Sequence, residues 1–173
     1  MNEDILYTPD EIAQKLKITK STVYEMIKRG DLDAHRMGKH IRIAQSQFDI
    51  YLLKTKCFEN SYEANIVLDN DETFAEINSV KIQVNTNFEG KVKISIRPED
   101  IILSKDLFIS SARNIHKGIV LDIITEGNSS KVILDIGIPI SSLITTKSLK
   151  DLSIEKGTEL YAIFKTMSVK VYK

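Results

Sequence analysis

A chain of 173 residues with 42% hydrophobic and 28% charged residues can fill one large domain or two small ones, each with its own core. One cysteine, Cys57, excludes an intrachain disulfide and a zinc site built from cysteine pairs. No apolar run approaches the roughly 18–20 residues that a membrane helix needs. The start Met1-Asn2-Glu3-Asp4 lacks a basic n-region, so a cytoplasmic protein with no membrane partner is expected. The net charge of zero is unevenly spread: residues 1–56 carry 10 Lys and Arg against 8 Asp and Glu, residues 57–107 carry 5 against 10, and residues 108–173 carry 9 against 6. A basic head beside an acidic middle fits a nucleic-acid module joined to a part with another task.

Thr8-Pro9-Asp10-Glu11 predicts a helix start: Thr8 caps, Pro9 takes the first helical position and Glu11 closes a capping box. That helix ends near Lys17. Thr19 or Ser21 caps a second helix that runs to Arg29, and Gly30 stops it in the left-handed conformation. Two short helices joined by three or four residues make a helix-turn-helix. The second helix turns Val23 and Ile27 inward and leaves Lys20, Ser21, Tyr24, Lys28 and Arg29 outside. A hairpin follows, Leu32 to Met37 and His40 to Ile43 about a Gly38-Lys39 turn, with Arg36, Lys39, His40 and Arg42 on it. A third helix from about Ser46 to Lys54 closes the unit. His35 and His40 are expected as phosphate or solvent contacts of this hairpin.

Near residue 56 the hydrophobic period changes from helical to alternating. Residues 54–62 are expected as a linker. Strand-like runs fall at 64–68, 80–84, 92–96, 119–124, 132–136, 160–164 and 169–172, separated by turns such as Glu126-Gly127-Asn128 and Lys156-Gly157. Short strands with regular turns predict a small barrel or sandwich, and no internal repeat is visible. Ser110-Ser111-Ala112-Arg113-Asn114 gathers hydroxyls, a fixed cation and an amide just before one strand, a set of donors suited to an anion.

The motifs Thr8-x-x-Glu11-x-Ala13-x-x-Leu16, Ser21-Thr22-Val23-Tyr24-x-x-Ile27-x-x-Gly30 and Ala34-x-Arg36-x-Gly38-x-x-x-Arg42-Ile43 closely resemble the excisionase-like, MerR-related winged helix-turn-helix family. Lys17 stands where that family usually has Gly. The resemblance implies double-stranded DNA as partner, the second helix in the major groove and the hairpin on the backbone. The same residues also fit a protein-binding module with a solvated charged face.

From Phe108 onward the chain resembles a Mop domain, the oxyanion-binding member of the TOBE group. The likeness rests on Ser110-Ser111-Ala112-Arg113-Asn114-x-x-x-Gly118-x-Val120, Leu134-Asp135-Ile136-Gly137, Ile144-Thr145-Thr146-Lys147-Ser148 and Phe164-Lys165-Thr166-Met167-Ser168-Val169. It implies molybdate or tungstate as ligand, with no metal cation or organic cofactor. Ser111, Ala112, Arg113, Thr145, Ser148, Lys165 and Thr166 would hold the anion at a subunit interface of a homo-oligomer. Arg113 and Lys165 could equally be ordinary surface cations, and Ser111 could cap a turn. The family's Lys-Ala-Ser-Ser pattern reads Lys165-Thr166-Met167-Ser168 here, and Met167 is expected to pack inward. His116 is expected at an interface or on the surface, and Asn114 to fix the loop. Ile96-Arg97-Pro98-Glu99-Asp100-Ile101 resembles the segment before such a domain in oxyanion-importing ABC ATPases, yet no GxxxxGK[ST] loop occurs.

The expected fold class is thus an α+β multidomain chain, with a winged helix-turn-helix (1–56), a linker and β segment of TOBE-like type (57–107) and an all-β OB-like Mop/TOBE barrel (108–173). The expected function is a non-enzymatic transcriptional regulator that binds DNA and senses molybdate or tungstate. The alternatives are an oxyanion storage or buffering protein, and an accessory of an ABC importer.

Overall fold

The computed structural model describes residues 5–55 and 59–173. The chain divides into two compact units, Met1–Lys56 and Cys57–Lys173.

In the first unit, strand β1 (Leu6–Tyr7) precedes helices α1 (Pro9–Leu16) and α2 (Lys20–Arg29), the hairpin β2 (His35–Met37) and β3 (His40–Ala44), and helix α3 (Gln45–Lys54). The caps form as the sequence predicts. Thr8 accepts from the Glu11 N–H and Glu11 reaches back to the Thr8 N–H, while Thr19 caps α2 and Gly30 ends it at φ 82°. Lys17 ends α1 in the left-handed region at φ 55°, ψ 43°, so the turn keeps the backbone shape that favours glycine without having one. Ile12, Val23, Met26, Leu32, Ile43 and Phe48 form the core. β1, which the sequence did not announce, pairs antiparallel with β3 and makes the hairpin a three-stranded sheet of order β1-β3-β2.

The second unit holds two five-stranded antiparallel sheets about one core. Its strands are β4 (Asn60–Asp69), β5 (Glu72–Ile77), β6 (Val80–Gln83), β7 (Gly90–Ile96), β8 (Ile102–Ser104), β9 (Asn114–Glu126), β10 (Ser129–Asp135), β11 (Pro139–Thr145), β12 (Glu159–Phe164) and β13 (Val169–Tyr172), with helix α4 (Thr146–Asp151) after β11. The sheet orders are β6-β5-β4-β7-β13 and β11-β10-β9-β12-β8. Read together, they are one pattern used twice. Four consecutive strands build each sheet, and the fifth strand of each repeat crosses to the other: β8 pairs with β12, and β13 with β7. A short 3₁₀ turn makes each crossing, Pro98–Asp100 after β7 and Thr166–Ser168 after β12.

The correspondence holds residue by residue. Asn60 pairs across from Ile96 as Asn114 does from Phe164, and both asparagines are buried. The Asn114 amide clasps β6: the Gln83 N–H donates to its Oδ1 at 2.7 Å and its Nδ2 donates to the Gln83 carbonyl at 3.0 Å. Asn60 clasps β11 in the same way, accepting from the Ser141 N–H at 2.7 Å and donating to the Ser141 carbonyl at 2.9 Å. Each repeat therefore holds the third strand of the other, and buried backbone groups that the sheets leave unpaired find partners. Gly118 stands where the first repeat has Ala64; a Cβ there would lie 2.7 Å from the Asp135 carbonyl oxygen, beside the irregular register at Ile133 and Leu134.

Three expectations are corrected. The repeat is real but topological, because the two halves share register and facing while their side chains differ. Residues 54–62 are not a linker as a whole, since Lys54 ends α3 and Asn60 opens β4; Lys56, Cys57 and Phe58 lie outside the described residues. Residues 57–107 do not stand apart from 108–173 as a linker with a β segment: they supply a full sheet whose last strand comes from the C-terminus.

Candidate functional site

In the first unit, α2 presents Lys20, Ser21, Tyr24, Lys28 and Arg29 on its exposed side, with Tyr24 41% exposed. Two of these cations are committed within the unit: Lys20 lies 2.7 Å from Asp10 on α1, and Arg29 lies 3.0 Å from Asp31. The hydrogen bond and charge of Asp10 raise the Lys20 pKa. Ser21 Oγ shares a contact of 2.9 Å with Thr19 Oγ1, within the cap of α2. Lys28 forms no ion pair among the described residues. Arg36, Lys39 and His40 are exposed on the hairpin. Arg42 is half-buried, and its Nη1 donates to the Ile41 carbonyl at 2.9 Å. The Glu11 carboxyl is held below its usual range by the Thr8 N–H and hydroxyl, and further by the charges of Arg42 and Lys15. His35 does more than face solvent: its Nε2 lies 3.2 Å from Nε2 of Gln47, whose Oε1 accepts from the Ala44 N–H at 3.0 Å. That strut between hairpin and α3 joins residues twelve apart, a spacing that carries no periodic signal.

In the second unit, the seven anion candidates fall into two groups at opposite ends of β9. Ser111, Ala112 and Arg113 precede Asn114, which pairs with Phe164, so Arg113 and Lys165 flank one end. Thr145 pairs with Ser129, and Ser129 with Glu126, at the other end. At roughly 3.4 Å per residue, twelve residues of strand separate the groups by several nanometres of contour before bending.

In the first group, Ser111, Arg113 and Lys165 are exposed, and neither cation forms an ion pair among the described residues. Ser110 accepts from the Ala112 N–H at 3.2 Å and shapes the loop. His116 Nε2 and Thr166 Oγ1 are buried and have no hydrogen-bond partner among the described residues. His116 is not a surface residue: it is half-buried, stacks on Phe164 at 5.8 Å between centroids, and burial pushes its pKa down. Met167 does not pack inward; it is 75% exposed, with Sδ 3.7 Å from Asn85 Nδ2.

In the second group, Thr145 caps α4, accepting from the Ser148 N–H at 3.0 Å, and the two hydroxyl oxygens lie 2.8 Å apart. Both line a slot of about 450 Å³ whose walls include Ile101, Ile102, Leu143 and Ile144. The charged group at that slot is Glu99, a carboxylate from the first crossing turn. Thr145 and Ser148 thus offer hydroxyls beside an anion, and the cations stand at the other end of β9. Pairing a hydroxyl set with the wrong charge is a consequence of the strand exchange, and nothing in sequence spacing announces it.

A two-helix unit with a hairpin, followed by a duplicated β unit with exposed donors, is the architecture of a helix-turn-helix domain joined to a TOBE domain. Residues 6–56 match the helix-turn-helix domain family and residues 110–171 match the TOBE domain family. Of individual proteins, the molybdate/tungstate import ATP-binding protein WtpC of Pyrococcus abyssi is 45% identical over 98 residues, and that of Pyrococcus horikoshii 36% over 98 residues. Each match covers 56% of this chain and 28% of the relative, so the chain spans just over a quarter of the length of these relatives. The solved structure of the cytoplasmic molybdate-binding protein ModG, with molybdate bound, has a TM-score of 0.59 at 19% identity and covers 68% of this chain and 99% of its own; it shares the fold. Among the described residues no helix is long and apolar enough to cross a membrane.

Proposed function

We propose that this chain is a cytoplasmic, one-component transcription regulator that binds double-stranded DNA through its first unit and senses molybdate or tungstate through its second. The observation that carries this reading is the union, in one chain, of a helix-turn-helix domain with a TOBE domain whose loop leaves Arg113 and Lys165 uncommitted. The molybdate in the ModG structure and the substrate class of the partial relatives support the ligand. A tetrahedral dianion is held by converging N–H, hydroxyl and cationic donors. Ser111, Arg113, Lys165 and Thr166 supply much of that set, the Ala112 N–H would join it on leaving Ser110 Oγ, and Thr145 and Ser148 supply two further hydroxyls. The donor chemistry fits, provided a second copy brings the cations of one chain to the hydroxyls of another.

DNA contact would come from Tyr24, Lys28, Arg36, Lys39 and His40. Lys20, Ser21, Arg29 and Arg42 would support it once their internal partners are exchanged for phosphate. An anion shared by two copies favours one spacing of the reading heads, and by reciprocity DNA of that spacing favours anion binding. Neither unit is assigned catalysis.

The test is a gel shift on DNA upstream of the chain's own gene, titrated separately with molybdate, tungstate and sulfate. Molybdate or tungstate should change the DNA affinity about 5–150-fold, the usual range of such couplings, with no effect of sulfate. Equal affinity under all conditions would remove the sensor reading. The 45% identity to an importer ATPase favours a second reading, an accessory of an oxyanion importer. Anion binding with no preference for any DNA sequence would select it.

A further inference from the structure

The two repeats provide an internal comparison of buried polar groups. Tyr62, two residues after Asn60, and His116, two residues after Asn114, hold the same place: Tyr62 pairs with Ile94 as His116 does with Ala162. The Tyr62 hydroxyl reaches the other repeat and donates to the Pro139 carbonyl of β11 at 2.7 Å. An imidazole reaches less far than a phenol, and His116 Nε2 is buried without a hydrogen-bond partner among the described residues. By the same register Thr166 stands where the first repeat has Pro98, because Phe164 answers to Ile96. Pro98 has no polar side-chain group to satisfy, whereas the Thr166 hydroxyl is buried and again unpartnered among the described residues. The fold therefore requires neither polar group. An unpaired buried polar group is unfavourable, so its presence in a native fold points to a role beyond packing.

Both groups belong to the elements that carry the exposed donors. His116 follows Arg113 by three residues, and its ring stacks at 5.8 Å between centroids on Phe164, the residue before Lys165. The charged groups on the surrounding elements leave His116 without a carboxylate partner. Lys117 of β9 and Glu159 of β12 pair with each other at 2.9 Å, and Lys81 of β6 pairs with Asp69 of β4 at 2.8 Å. The Asp135 carboxylate at the end of β10 accepts from the Gly137 N–H at 2.9 Å. Arg113 and Lys165 remain, both exposed and neither in an ion pair among the described residues. Burial lowers the His116 pKa, and two uncommitted cations at the same end of β9 oppose a further positive charge there.

We propose that His116 makes anion uptake proton-coupled: an oxyanion held by Ser111, Arg113 and Lys165 is bound together with a proton on the His116 imidazole. The inference rests on the anion reading above and adds a second input to it. A dianion cancels the charge of the two cations, and with it the repulsion that keeps the ring neutral. The loaded site then binds a proton more tightly than the empty one, and by reciprocity the protonated chain binds the anion more tightly. His116 acts here through charge rather than through contact with the anion. Three residues of extended chain, at about 3.4 Å each, put it about 10 Å from Arg113. Two charges acting on one at that distance, with an effective dielectric constant of about 20–80, correspond to a change in affinity of about 4- to 300-fold when fully expressed. A hydroxyl accepts as well as donates, so Thr166 Oγ1 offers a buried acceptor at the end of the unit where the imidazolium forms.

The experiment is titration calorimetry of the full chain with molybdate, as wild type and His116→Phe, at acid and alkaline pH (about 6 and about 8, on either side of the ordinary histidine pKa). Each titration is run in two buffers of different ionisation enthalpy, with far-UV circular dichroism as a fold control. Phenylalanine keeps a ring on Phe164 and removes the titrating group. Wild type should bind about two- to tenfold more tightly at the lower pH, the part of the coupling expressed there, and the difference between buffers should report proton uptake. His116→Phe should bind equally at both pH values and take up no proton. In wild type, a nuclear magnetic resonance titration of the His116 ring should give a higher pKa with molybdate than without, a result that does not depend on the variant folding. Molybdate binding with no pH dependence, an unchanged ring pKa, or a His116→Phe chain that keeps the wild-type pH response would each overturn the coupling and leave the anion reading standing. No heat of molybdate binding at either pH in folded wild type removes both.

Discussion

Replacing Asn114 by Ala tests the exchange between the repeats. The side chain is 2% exposed and makes two hydrogen bonds to the backbone of Gln83, at 2.7 and 3.0 Å. Truncation leaves one N–H and one carbonyl of β6 without their partner. Each such orphan costs about 1–3 kcal/mol. Gln83 is half-buried and water reaches part of it, so a total of about 2–3 kcal/mol follows. Against a domain stability of about 5–15 kcal/mol that is a large fraction. With a urea slope of about 1–3 kcal/mol/M, the midpoint should fall by about 1–2 M, followed by far-UV circular dichroism. Asn60→Ala should cost at least as much, because Asn60 is 0% exposed and holds both Ser141 and Ile96. Since Asn114 anchors the loop that carries Ser111 and Arg113, the first variant should also weaken molybdate binding, measured by calorimetry. A midpoint within about 0.3 M of wild type would refute the view that these clasps hold the repeats together.

Other outcomes follow from the same geometry. Lys17→Gly should raise the stability of the first unit by about 0.5–1 kcal/mol, because a left-handed non-glycine residue is strained and the added chain entropy of glycine offsets part of the gain; thermal unfolding of the head reads it. Burial holds the His116 pKa below its ordinary value of 6.5. The unfolded chain then binds the proton first, so stability is full above pH 6.5 and falls as pH drops from there through the lowered folded value. Melting temperature against pH should show that slope, and His116→Phe should flatten it. Lys165→Ala should abolish the response to molybdate while leaving apo DNA affinity within about twofold, and Tyr24→Ala should weaken DNA binding while leaving anion affinity unchanged; parallel loss of both activities in either variant would refute the division of labour.

Local chemistry determined the first unit. Thr8, Glu11, Thr19 and Gly30 act within one helical turn of their partners, so their roles are legible from spacing, and Lys17 takes the left-handed turn that its position demands. The same holds for the donor-rich loop before Asn114 and for most strands of the second unit, whose alternation reports which face is buried. What no spacing could report was which strands meet. Asn60 and Ser141 are 81 residues apart, and Asn114 and Gln83 are 31. The duplication stayed hidden because it is kept in register and facing while the paired residues differ: Ser61, Ser95 and Lys170 in one sheet, Ile115, Ile163 and Ile102 in the other. The two crossings of β8 and β13 send Lys165 to one end of the unit and leave Thr145 and Ser148 beside Glu99 at the other. Sequence therefore determined the chemistry of each donor, because that belongs to a single residue and its neighbours. Tertiary structure alone decided which donors share a site, because that depends on long-range strand pairing.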